Sequence, residues 1–206
     1  MILQKPLMLR KQGIGAVSLV SLLAGYPALA GVADIRSMYQ EINALVESKT
    51  AKPVSVFLQD GVGWRLVTTR AEQDEFDKND FRARVYLHEN KVVKAQLETT
   101  SQSGDWKLTD EYYFYKSGRT AFFFRTLLTF QGYDAEHDRE LPPGPYVVEE
   151  RVYFDDGGER LRRLIKAYVQ KGGKSIDRKY LATGPMRGEI FPNVVALPFH
   201  SLIKTR

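Results

Sequence analysis

Apolar and polar positions along this chain change period once, near Pro53. Before it, VADIRSMYQEINALVESK places Ile35, Met38, Tyr39, Ile42, Leu45 and Val46 at helical spacing. Asp34 stands where it can cap the first turn, and the opposite side carries Arg36, Gln40, Glu41, Asn43 and Glu47. An apolar stripe backed by mixed charges predicts a helix lying on a larger body. A membrane-surface helix would concentrate Lys and Arg on that polar side, which this one does not.

After Pro53 the pattern becomes short β-branched and aromatic runs punctuated by Gly, Asn and Asp, as strands and hairpins require. Four stretches echo one another: VFLQDGVGWRL at 56–66, VYLHENKVVKA at 85–95, YYFYKSGRTAF at 112–122 and VYFDDGGERLR at 152–162. The last two align without a gap over sixteen residues. Four such hairpins predict an α+β fold: an N-terminal amphipathic helix packed on a curled antiparallel sheet of about seven to nine strands built of consecutive hairpins. Residues 159–169 also carry a helical period, but the Asp-Asp-Gly-Gly turn and the echo favour a strand. Residues 131–145 read as a polar, proline-rich loop. The apolar but Pro-broken end, 184–206, is expected to lie across the sheet and to add at most a short strand.

Taking Gly157-Gly158 as a two-residue turn pairs Asp155 with Arg160, Tyr153 with Arg162 and Glu149 with Lys166 on one side. The other side then holds Phe154, Val152, Leu161, Ile165 and Val169 as core, with Arg163 misplaced among them and obliged to lie at an edge or to snorkel. The same parity forty residues earlier puts Tyr112, Phe114, Ala121, Phe123 and Leu127 on the core side. Tyr113, Tyr115, Phe122 and Phe124 are left pointing the opposite way. These surplus rings lie either beneath the helix or the tail, or on a concave surface that binds a ligand. On the second reading the ligand-binding residues are Tyr113, Tyr115, Phe122, Phe124, Tyr153 and Arg162, aromatic anchors with one cationic handle.

The sequence IRSMYQEIN, followed by EYYFYKSGRTAFF and ERVYFDDGGERLRR, resembles the arrangement in uncharacterised exported bacterial proteins that pair one N-terminal helix with an antiparallel sheet. The resemblance spans most of the chain after residue 30. It implies that fold and carries no catalytic or ligand residues with it.

Charge modifies the picture only after residues 1–30 are set apart. Lys5, Arg10 and Lys11, the apolar run from Ile14 to Leu23 and the small residues of Ala28-Leu29-Ala30 follow the plan of a signal peptide cleaved after Ala30. The apolar run is too short for a membrane span. Its removal takes three of the 30 basic residues and none of the 25 acidic ones, so a formal +5 falls to +2. A nucleic-acid partner is therefore not expected, and residues 31–206 read as a single domain in the periplasm or outside the cell. There is no cysteine, which excludes disulfides, a thiol nucleophile and a Cys-based zinc site.

Catalytic patterns are sparse. GGKS at 172–175 lacks the first glycine of a phosphate loop, Tyr168 standing in its place, and there is no serine-nucleophile elbow or His-Glu-x-x-His pair. His88, His137 and His200 are scattered. DAEHDRE gathers Asp134, Glu136, His137, Asp138 and Glu140, oxygen and imidazole donors that suit a divalent cation or a hydrolase, although such charge runs are ordinarily solvated. Glu111 and Glu150 are further acids beside the sheet. No cofactor and no resident metal are expected. The expected role is an exported binding module for an apolar small molecule or an envelope protein partner on the aromatic face; the alternatives are an envelope hydrolase using loop 134–140 and a purely structural envelope protein.

Overall fold

The computed structural model describes residues 31–59, 62–134, 136–141 and 144–203; the expected export signal lies outside them. Helix α1 (Val32–Glu47) begins where the periodicity places it, with the Asp34 carboxylate accepting the Gly31 N–H at 2.8 Å. The chain then forms β1 (Lys52–Gln59), β2 (Gly63–Leu66), helix α2 (Arg70–Lys78), β3 (Phe81–His88), β4 (Lys91–Thr100), β5 (Trp106–Phe114) and β6 (Thr120–Thr129). A two-residue ladder, β7 (Tyr133–Asp134) with β8 (Arg139–Glu140), gives the 131–145 loop more order than its composition suggests. Strands β9 (Tyr146–Phe154) and β10 (Arg160–Val169) follow, and the tail turns through short 3-10 segments into α3 (His200–Ile203).

Eight strands make one antiparallel sheet in the order β10-β9-β6-β5-β4-β3-β1-β2. All four sequence echoes are hairpins of this sheet: β1–β2, β3–β4, β5–β6 and β9–β10. Residues 159–169 contain strand β10, and no helix among the described residues is long and apolar enough to cross a membrane.

The turn of β9–β10 differs from the two-residue one expected. Asp155 and Gly158 close it (Gly158 N–H to Asp155 O, 3.0 Å), Asp155 N–H bonds Glu159 O, and Gly158 takes φ +91°, a conformation glycine accepts without strain. A bulge between Arg160 and Arg162 absorbs the extra residue, so Tyr153 still faces Arg162 and Glu149 still meets Lys166, at 3.1 Å. The Asp155–Arg160 pair does not form; the Asp155 carboxylate is buried and accepts the Glu159 N–H at 2.8 Å. Leu161, expected in the core, is the bulged residue and is exposed, and Ile165 is also open to solvent.

The β5–β6 turn repeats this geometry, with Gly118 at φ +86° and a register shift that skips Ala121. Ala121 consequently packs with the cluster under α1 instead of the opposite face, where parity alone put it. The two turns sit side by side: Ser117 Oγ donates to Asp156 Oδ1, Arg119 Nη1 donates to Gly157 O, and the Tyr115 hydroxyl donates to Phe154 O at 2.8 Å.

Both faces of the sheet are covered. On one, α1 buries Ile35 and Ile42 against Tyr113, Ala121, Phe122 and Tyr153, while α2 packs on β1 with Phe76 buried. On the other, the C-terminal tail lays Phe191, Leu197, Phe199 and Ile203 over Val56, Val85, Tyr112, Phe114, Phe123 and Val152. The tail crosses the sheet as expected and adds a single bridge, Arg119 to Asn193, in place of a strand.

Helix α2 starts with a reciprocal cap: Thr69 Oγ1 accepts the Glu72 N–H, and Glu72 Oε2 accepts the Thr68 and Thr69 N–H groups at 2.7 and 2.8 Å. The Thr68 N–H, then its hydroxyl, then the Thr69 N–H lower the Glu72 carboxyl from 4.5 to about 2. A depressed acid contributes stability that is complete above its unfolded value and is lost as pH falls through the folded one. Glu72→Gln is therefore expected to lower the melting temperature most at neutral pH, where the charged cap contributes in full, with the difference from the parent protein shrinking as pH falls from 4.5 to about 2.

Candidate functional site

The helix-side rings expected to bind a ligand are mostly packing residues. Tyr113, Phe122 and Tyr153 are buried, Tyr115 and Phe124 are half-buried, and Arg162 is exposed at the sheet edge. Tyr39 of α1 seals them, its ring 4.9 Å from Tyr113 and 5.5 Å from Phe122, in tilted and edge-on contacts. Burial, then the nearby Glu111 carboxylate, holds the Tyr113 hydroxyl far above its usual range, while burial and then Asp156 push Tyr115 to about 12. Asn43 Oδ1 ties the helix down by accepting from Tyr113 and from Lys94, and Lys94 pairs with Glu111 at 2.7 Å.

Of the six expected binding residues, Phe122, Phe124 and Tyr153 line a pocket of about 300 Å³ at the edge of α1, closed by Tyr39, Arg36 and Arg151. Tyr113, Tyr115 and Arg162 do not reach it.

The opposite face holds a larger space. A cavity of about 770 Å³ lies between the sheet and tail residues 186–192. Val152, Phe154, Met186 and Ile190 form its apolar walls, and Arg125, Glu150 and Arg163 its charged floor. Register explains the floor: Arg125 on β6 is opposite Asp110 on β5 and Glu150 on β9, so one row across three strands is ionic where its neighbours are aromatic or aliphatic.

All three guanidinium nitrogens of Arg125 donate. Nε and Nη2 form a fork to the two Asp110 oxygens at 2.7 Å each, and Nη1 donates to Met186 O at 2.8 Å and Gly188 O at 3.1 Å. Burial would lower the Arg125 pKa, but the hydrogen bonds to Asp110 outweigh it and hold the guanidinium charged. Arg163, read from sequence as a misfit, lies on this face and donates to Glu150 Oε1 from Nε at 2.7 Å. At the mouth, the side chains of Arg160 and Arg187 meet no hydrogen-bonding or charged partner among the described residues.

Glu111 and Glu150 are on opposite faces and cannot act as a pair. In the acidic loop, Asp134, Glu136 and His137 do converge, with ligand atoms within 4.8 Å of one another. Each already has a protein partner. Asp134 accepts from Arg139 and contacts His137 Nδ1 at 2.8 Å, Glu136 accepts from Lys179 and Tyr180, and Asp138 accepts from the Tyr133 hydroxyl. A cation would have to displace these contacts.

Sequence reasoning missed Arg125, Asp110 and the α2 cap. The signals were present: Arg125, Asp110 and Glu150 share parity with Phe123, Tyr112 and Val152, and Thr69-x-x-Glu72 is a capping-box pattern.

Comparison with protein-family models, with curated proteins and with solved structures gave no match.

Removing the guanidinium would strand Asp110 in the interior. Arg125→Met is expected to cost about 3–5 kcal/mol in denaturant unfolding, and adding Asp110→Leu to recover roughly half of it, the remainder reflecting the unpaired Met186 and Gly188 carbonyls.

Proposed function

We propose that this protein is an exported binding module that holds a small, largely apolar molecule in the cavity under its C-terminal tail. The observation that carries this reading is the cavity itself: about 770 Å³ walled by Val152, Phe154, Met186 and Ile190. Spaces of this size with apolar walls and a few convergent polar groups are where small ligands bind. The residue pattern of 1–30 supports export, to the periplasm or outside the cell.

Two features favour this face over the aromatic face beneath α1. The rings there are engaged with Tyr39, Ile35 and Ile42, and the space beside them is less than half as large. The tail cavity, in contrast, lies under a segment anchored by the Met186 and Gly188 carbonyls to Arg125 and by the Phe191 and Pro192 carbonyls to Thr120, with Ile190 between the anchors lining the space.

A neutral environment-sensitive probe, N-phenylnaphthylamine, is expected to bind the purified protein saturably at one site, with a Kd on the order of 1–10 μM. Ile190→Trp should weaken that binding about tenfold or more by filling the cavity, whereas Phe124→Ala on the helix side should leave it unchanged. The opposite response of the two variants would move the site to the aromatic face.

A further inference from the structure

We propose that the free edge of the sheet along β10 accepts an acidic, extended segment of another protein as an added strand. Strand β10 is the last in the sheet order, and among the described residues β9 is its one partner strand. On its outer side, residues 167–169 are met by 174–176, through Val169 N–H to Lys174 O at 2.8 Å and Ile176 N–H to Ala167 O at 3.1 Å. From Arg160 to Lys166 the outward backbone groups meet no described residue. Past the bulge at Leu161, the five regular residues Arg162–Lys166 present about 17 Å of unpaired edge, enough to template a short strand. The other edge of the sheet, β2, is only four residues long.

The side chains on this edge select the partner. Arg160, Leu161, Arg162, Arg163, Ile165 and Lys166 are all exposed, and β10 contains no acid. Glu150 and Glu149 of β9 answer Arg163 and Lys166, at 2.6 and 3.1 Å, while Arg160 and Arg162 have no charged partner among the described residues. Cations on an edge are a common guard against aggregation, because a second copy of the same strand would bring like charges together. The same charges favour a strand of opposite sign, whose main chain supplies affinity and whose carboxylates supply orientation and on-rate. Arg162 and Lys166 share one face of the strand and Ile165 lies on the other, so the fitting segment alternates acidic with apolar residues, its carboxylates set on the face of Arg162 and Lys166. This inference does not require the cavity to hold a ligand, although Arg160 and Arg163 border both.

Fluorescence anisotropy with a labelled eight-residue peptide of alternating Glu and Val tests it on the purified protein. Saturable binding is expected, falling at least tenfold when alternate peptide nitrogens are methylated to remove one hydrogen-bonding edge, and undetectable for the Lys-Val counterpart. Arg162→Glu, at an exposed position outside the cavity lining, should weaken binding at least tenfold without altering the melting temperature, and amide exchange should slow at residues 162–166 in the complex. Equal binding of the methylated peptide would show attraction by charge alone and overturn strand addition, as would exchange protection elsewhere or no saturable binding of the Glu-Val peptide.

Discussion

The guanidinium of Arg125 is the contact on which the tail side of this fold depends. A buried cation is tolerated only when each of its donors is satisfied, and here the partners come from two directions: the Asp110 carboxylate on the neighbouring strand and the Met186 and Gly188 carbonyls of the tail. The tail must therefore pass over β6 at this residue. It must also reach the start of the same strand, where Thr120 Oγ1 donates to Phe191 O at 2.7 Å and Thr120 N–H to Pro192 O at 3.0 Å. Between these two anchors the chain spans the sheet without lying flat on it, and the tail cavity is the open cleft left beneath.

The density of rings between 112 and 130 has a plain cause in this arrangement. Strands β5 and β6 sit near the middle of an eight-stranded sheet that is covered on both sides, so consecutive residues are both buried and neither parity can be left polar. Tyr112 and Phe123 meet the tail side; Tyr113 and Phe122 meet α1. Each buried ring contributes about 1.5–3 kcal/mol by area, which offsets the ordering of the tail and helix that cover them.

Much of this was legible in residue order, and the remainder failed for identifiable reasons. The four hairpins, the α1 stripe and the inside-or-outside parity of Phe114, Phe154, Tyr113 and Phe122 follow from local period and turn chemistry. The wrong placements of Ala121 and Leu161 share one cause. Each is skipped by a bulge after a glycine turn, and a one-residue bulge moves a side chain to another environment while leaving the more distant register intact. Which segment covers which face is a tertiary choice that no period encodes, so the helix and the tail were interchangeable lids. The ionic row was within reach, because three charges at core parity on adjacent strands are improbable unless they meet.

Comparison of the two echoing hairpins separates what geometry sets from what location sets. Positions forty residues apart share the glycine turn and the bulge, yet Phe122 and Phe123 of β6 correspond to Arg162 and Arg163 of β10. Nothing in a hairpin's own geometry requires this exchange. The difference is that β6 is flanked by β5 and β9, whereas β10 among the described residues has a strand, β9, on one side and is met on the other at its end, residues 167–169. A strand with two neighbours and two covered faces excludes water and takes aromatic residues; a strand with an open edge keeps its backbone hydrated and takes guanidinium groups whose stems still cover apolar surface. The arginines of β10 are thus a consequence of where the second hairpin docks. The same docking leaves Arg163 facing Val152 across the ladder and within reach of Glu150, so that the sheet edge and the wall of the tail cavity are built from one strand.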